Sequence, residues 1–151
     1  MGDVIKIGGN YNNTVKGVSV DSEGAMYVSH GADMIQLFNA FAITDTNVHK
    51  PDIAVDLRNT PVVSLRANNT CDKPIQIKFF SDLPNAPNTA TLKDATGAEV
   101  MITIPANMNG RAVITPDDIP VLPYLQYLNI GLKASTAPTT GSVSIWVCTK
   151  R

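Results

Sequence analysis

Apolar and polar positions alternate most regularly near the end of the chain. Leu128, Ile130 and Leu132 keep a period of two, and so do Val143, Ile145 and Val147. That period places each trio on one face of a β-strand. Between them, Thr136, Pro138 and Gly141 mark a turn-forming break. The two runs are therefore expected as a β-hairpin with a loop longer than the tightest kind. Such a hairpin does not stay folded alone, so its apolar face requires another sheet.

The same alternation recurs upstream, in Ile53/Val55/Leu57, Val63/Leu65/Ala67, Ile75/Ile77/Phe79 and Val100/Ile102/Ile104. Residues 111–115 read as a further strand and 89–93 as a short edge strand. Turn-forming residues separate them at 59–61, 68–74, 94–97 and 105–110. Thr115 before Pro116 fits a helix N-cap with Pro at the first position, and Pro120 and Pro123 keep any such helix short. About seven or eight strands joined by turns predict an all-β fold, an antiparallel β-sandwich. Loops longer than two residues favour jelly-roll or Greek-key crossings. The alternating apolar residues are the predicted core. Trp146 is out of phase with its strand's apolar trio and points to the opposite face, as does Phe80. Outward aromatics of this kind predict covered surface: under a loop, the N-terminal segment, another subunit or a ligand.

Residues 1–50 carry a different pattern. Val4–Ile7 is a strand candidate, and residues 8–13 are Gly- and Asn-rich and turn-prone. Residues 15–20 and 25–28 flank an Asp21–Gly24 turn of type I character and predict a hairpin. Apolar residues at 34, 37, 38 and 41 keep helical spacing and predict one or two helical turns. Residues 43–49 fit an extended strand equally well. The domain boundary is placed near residue 50. Residues 1–50 form an N-terminal extended arm and hairpin, expected to serve attachment or oligomerisation, and 51–151 the sandwich.

Composition supports this picture. The 44% apolar content is that of a globular chain, while 17% charged is low. Ten Gly and ten Pro favour strands and turns over long helices. A formal charge of −1 argues against nucleic acid, which requires a basic footprint, and against a membrane surface. No stretch approaches the length of an apolar membrane span. Residues 1–6 do not read as a signal peptide, and Lys6 stands where a myristoylation motif has Ser or Thr. The expected site of synthesis is a cytoplasm, where Cys71 and Cys148 stay free thiols.

Candidate chemistry is sparse. His30 and His49 lack partners at catalytic or metal-ligand spacing. Asp117-Asp118 suits a solvated helix start, and the Asp21–Gly24 turn lacks the alternating ligands of a calcium loop. Gly8-Gly9 is not a phosphate loop. Asn109-Gly110 between two strands reads as a hairpin turn. The expectation is a non-enzymatic protein with no cofactor and no metal. Trp146, Tyr124, Tyr127, Phe79 and Phe80 are candidates for a sugar-stacking platform, which makes a carbohydrate-binding β-sandwich module the alternative function. Tyr11, Tyr27, Phe38, Phe41, Phe80 and Trp146 are the candidate interaction surface.

The organisation of the chain resembles that of tailed-bacteriophage virion accessory proteins of the capsid-decoration or head-fibre type. The likeness rests on a Gly/Asn-rich start leading to Val18-Ser19-Val20-Asp21, Gly24 and Tyr27-Val28. A connector follows with Phe38-Asn39-Ala40-Phe41-Ala42 and Asp45-Thr46. A sandwich then ends in Pro138-Thr139-Thr140-Gly141 and Ser142-Val143-Ser144-Ile145-Trp146-Val147. The resemblance implies a structural virion protein, assembled in the host cytoplasm. It would bind the major capsid protein or another virion surface, often as a trimer, without enzymatic activity. It carries over no functional residue.

Overall fold

A computed structural model describes residues 4–11, 14–20, 26–27, 32–60, 62–82 and 90–150. Contacts divide the chain into two units, Met1–Gly31 and Ala32–Arg151. The first is a sheet of β1 (Val4–Tyr11), β2 (Thr14–Val20) and β3 (Met26–Tyr27), in that order and antiparallel. The expected hairpin is present as the β2–β3 pair, with Ser19 opposite Tyr27; its turn lies outside the described residues. β1 runs on through Gly8-Gly9, with a register shift between Lys6 and Asn10, where a flexible turn was expected. The pairings of Ile5 with Val18 and of Val20 with Met26 put these four at positions on one face.

The second unit holds nine strands and one 3₁₀ turn among its described residues. They are β4 (Ala32–Phe41), β5 (Val55–Asp56), β6 (Val62–Asn69), β7 (Ile75–Phe79), β8 (Met101–Ile104), β9 (Ala112–Ile114), the 3₁₀ turn Leu122–Tyr124, β10 (Tyr127–Leu128), β11 (Ile130–Ala134) and β12 (Val143–Lys150). One sheet has the order β4-β12-β6-β9 and the other β11-β7-β8. The β10–β5 pair and a bridge between His49 and Leu132 extend the second sheet beyond β11. Successive strands therefore change sheet at every connection except β7 to β8 and β10 to β11, the latter pair separated only by Asn129. That alternation is the jelly roll, an all-β antiparallel sandwich of the predicted class.

The inner faces build the core. Val63, Leu65 and Ala67 of β6 and Val143, Ile145 and Val147 of β12 are buried, as are Ile75, Ile77 and Phe79 of β7 and Ile130, Leu132 and Ala134 of β11. Each large side chain so buried contributes about 1.5–3 kcal/mol before chain entropy is subtracted. Of the predicted core, Ile53 is 52% exposed, and Val100 and Ile102 are only partly buried. Ile43, Ile114, Ile119, Leu122 and Leu125 join it from outside the alternating runs.

Three expectations are corrected. First, β11 and β12 are not a hairpin. They lie in opposite sheets, and their apolar trios face each other across the core. Residues 135–142 cross between the sheets. Asp72 holds this crossing by accepting hydrogen bonds from Thr139 N (2.9 Å) and Thr139 Oγ1 (2.8 Å). Asn109-Gly110 likewise sits in a crossover, since β8 and β9 belong to different sheets. Second, residues 34–41 are strand, not helix. The register of β4 against β12 slips between Phe41 and Phe38 and again between Phe38 and Gln36. These bulges break the period of two and leave a spacing of three that imitates a helix. Third, the contacts divide at 31/32 instead of near 50, because β4 pairs along the length of β12. The N-cap residues at 115–118 close only a turn. Thr115 Oγ1 accepts from Asp117 N (3.3 Å), and Asp118 Oδ2 accepts from Thr115 N (2.9 Å). The described part of the predicted edge strand at 89–93 makes only isolated bridges, Thr91 to Phe80 and Lys93 to Glu99.

Candidate functional site

Of the six residues of the predicted interaction surface, four lie in the larger unit, and of these Phe38 and Phe80 are buried. Tyr11 ends β1 and Tyr27 ends β3; their side chains lie outside what the structure describes. Phe38 is buried in the core and meets the Phe41 ring edge-on, 5.6 Å between centroids. Phe80 is buried under Lys50, whose Nζ lies 3.8 Å above its ring. Gly131 makes room for this ring, since a Cβ there would lie 2.9 Å from Phe80 Cε2 and 2.7 Å from Val48 Cγ1. Trp146 does occupy the outer face of its sheet. The Arg111 guanidinium lies 4.3 Å above its ring, so that face is covered. Of the proposed sugar-stacking aromatics, Phe79 and Phe80 are buried as well.

The titratable groups are mostly tied into the scaffold. His49 Nε2 lies 2.7 Å from Asp45 Oδ1, and this bond holds the Asp45 carboxyl below its ordinary range. The His49 backbone meanwhile pairs with Leu132 in both directions, at 2.9 and 2.8 Å. Lys50 Nζ has no hydrogen-bond partner among the described residues, and burial lowers its pKa. Cys71 and Cys148 are free; burial pushes the Cys71 thiol up, which keeps it unreactive. Among the described residues, no three His, Cys, Asp or Glu side chains gather at metal-binding distance. His30 and the Asp21–Gly24 turn lie outside the described residues.

A different place combines free aromatic surface with unused hydrogen-bonding groups. A cavity of about 480 Å³ opens at one end of the sandwich, between residues 57–60 after β5 and residues 123–126 around the 3₁₀ turn. Buried Leu57, Leu122 and Leu125 anchor both segments. Leu57 N donates to Gln126 O (2.9 Å), Thr60 Oγ1 to Leu57 O (2.9 Å), and Gln126 N to Asp82 Oδ2 (3.1 Å). On this frame Tyr124 is 79% exposed. Arg58 is held by Asp56 through Nε to Oδ1 (3.0 Å) and Nη2 to Oδ2 (2.7 Å), and lies 5.1 Å from the Tyr127 ring. The same pair pulls the Asp56 carboxyl down to about 2. Arg58 Nη1 and the side-chain amides of Asn59 and Gln126 make no hydrogen bond among the described residues. Tyr124 and Tyr127 belonged to the predicted platform, but Arg58, Asn59 and Gln126 did not. The available signal was the pair Pro120 and Pro123, which keeps any helix there short and leaves a tyrosine at its end.

A second cavity, of about 490 Å³, lies between residues 93–101 and 118–121. Its carboxylates are engaged: Asp94 with Thr96, Glu99 with Lys78, and Asp118 with Thr115.

The fold defines the class of the larger unit, an antiparallel jelly roll. No family model and no curated protein matches the chain. Among solved structures, a chain from the disulfide-linked pili of Bacillus endospore appendages is similar over 81% of this chain and 88% of its own, at 11% identity and a TM-score of 0.38. That degree of likeness transfers neither fold nor function.

Proposed function

We propose that this is a non-enzymatic structural protein of a virion, a capsid decoration or head accessory protein. Its N-terminal sheet attaches to the major capsid protein or another virion surface and gathers copies into a homo-oligomer, a trimer by preference. The jelly roll is the displayed part. One observation carries this reading: the contacts divide at 31/32 into a unit with its own core and one of 31 residues. A chain shorter than about 40 residues rarely sustains a fold without a staple or a partner. The register puts Ile5, Val18, Val20 and Met26 at positions on one face of that small sheet. The resemblance to virion accessory proteins supplies the setting. A jelly roll alone is compatible with many functions, so the weight rests on the two-unit organisation.

The test compares the full chain with residues 32–151. The full chain is expected to co-sediment with capsids and to scatter light as an oligomer. The shorter chain should stay folded and monomeric and remain in the supernatant. Capsid binding that survives removal of residues 1–31 overturns the attachment role. A full chain that is monomeric and ignores capsids overturns the proposal.

A further inference from the structure

We propose that the cavity between residues 57–60 and 123–126 binds a neutral saccharide. This site belongs to the jelly roll itself and does not depend on how the N-terminal unit attaches. A pyranose presents an apolar face of C–H groups ringed by hydroxyls. It is recognised by an exposed aromatic ring with donors and acceptors beside it. Tyr124 supplies the ring, at 79% exposure on the cavity wall. Arg58 Nη1 supplies donors, and the Asn59 and Gln126 amides supply donors and acceptors.

Charge decides against an anionic ligand. The Arg58 guanidinium is already bonded to the Asp56 carboxylate at 2.7 Å, so the cavity offers no net positive field to a phosphate or sulfate. Volume fits as well. At about 480 Å³ the cavity lies in the range, roughly 300–1,000 Å³, of small-ligand sites. The bond from Leu57 N to Gln126 O and that from Gln126 N to the Asp82 carboxylate fix both walls in advance, which lowers the ordering cost of binding. Trp146 is the weaker candidate, because Arg111 already covers its ring.

The test uses the full chain. Soluble cellohexaose, maltohexaose, mannohexaose and chitohexaose are titrated by calorimetry, and the same sugars are presented on a glycan array. Saturable binding of at least one is expected. Soluble and array arms that agree indicate recognition of the free oligosaccharide; binding on the array alone indicates a requirement for a glycan fixed to a surface. Tyr124→Ala should weaken binding about tenfold or more, while Tyr124→Phe retains most of it. Trp146→Ala should leave affinity unchanged. Unaltered melting of the Tyr124 variants confirms that the fold is intact. Binding to none of the four sugars in either format overturns the proposal. So does affinity insensitive to Tyr124→Ala, or preferential binding of a heparin fragment run alongside.

Discussion

Asn69 is a polar residue at an inward position of β6, fully buried beside apolar neighbours. It is tolerated because every group is bonded. Its Nδ2 donates to Lys73 O (3.0 Å) and Pro105 O (2.9 Å), and its Oδ1 accepts from Cys71 N (3.0 Å). One side chain thus ties β6 to two crossovers. Asn69→Ala leaves the buried Cys71 N–H unbonded, frees the Lys73 and Pro105 carbonyls and opens a cavity, and should cost about 2–4 kcal/mol in denaturant unfolding. Gly141 carries a similar burden through the backbone. It has φ +89°, and a Cβ there would lie 2.3 Å from Thr70 O. Gly97, at φ +86°, has open space around it. Gly97→Ala should cost about 1–2 kcal/mol for the left-handed conformation alone, and Gly141→Ala distinctly more because Thr70 must also move. The carboxylates set the acid limit. Backbone and side-chain donation by Thr139 lowers the Asp72 pKa, and Asp45, Asp56, Asp94 and Glu99 are lowered too, Asp56 to about 2. Unfolded carboxylates titrate near pH 4, so below about that value the unfolded chain binds more protons than the folded one. Their contribution is whole above that pH and is lost as pH falls through the folded pKa values. Melting temperature followed from neutral pH downward should drop there, and Asp72→Asn should drop less steeply.

At the scale of elements, alternation identified strands well and their partners badly. The β6, β7 and β12 patterns were legible because each has one face in the core and one outside, and β11 departs from this only at Gly131, which Phe80 and Val48 cover. Period two says which face is buried. It does not say whether two such faces lie side by side or oppose each other across the core, so the β11–β12 crossing was read as a hairpin. β4 was illegible for another reason: its bulges against β12 shift the phase of its apolar residues, and Met34 is left 60% exposed. The arrangement is checked on the outer faces. Cys148 lies opposite Ser64 in register, whereas Lys133 belongs to the other sheet. A short bifunctional thiol reagent should link Cys148 to a cysteine in Ser64→Cys and not to one in Lys133→Cys. In a hairpin, with residues 135–142 as its loop, Cys148 would instead lie opposite position 129, and a cysteine in Asn129→Cys would be the one linked.

At the scale of the molecule, the placement of β4 decides where the chain can be cut. Removing residues 1–31 should leave a cooperative unfolding transition. Removing residues 1–50 takes away β4 and the His49 bridge, uncovers one edge of β12, and should give a chain that does not fold; thermal melts of the two truncations separate these outcomes. The candidate site was legible only in part, since Tyr124 and Tyr127 could be named from the sequence. Their neighbours Arg58 and Asn59 come from a loop far away in the chain, and only the jelly-roll crossings bring the two loops to one end. The same crossings put β12, the last described strand in chain order, between β4 and β6. As the polypeptide leaves the ribosome, β4 and β6 emerge early with no ladder between them to join. Their sheet can close only once residues 143–150 have been translated, so until then the nascent chain remains open to chaperones and proteases.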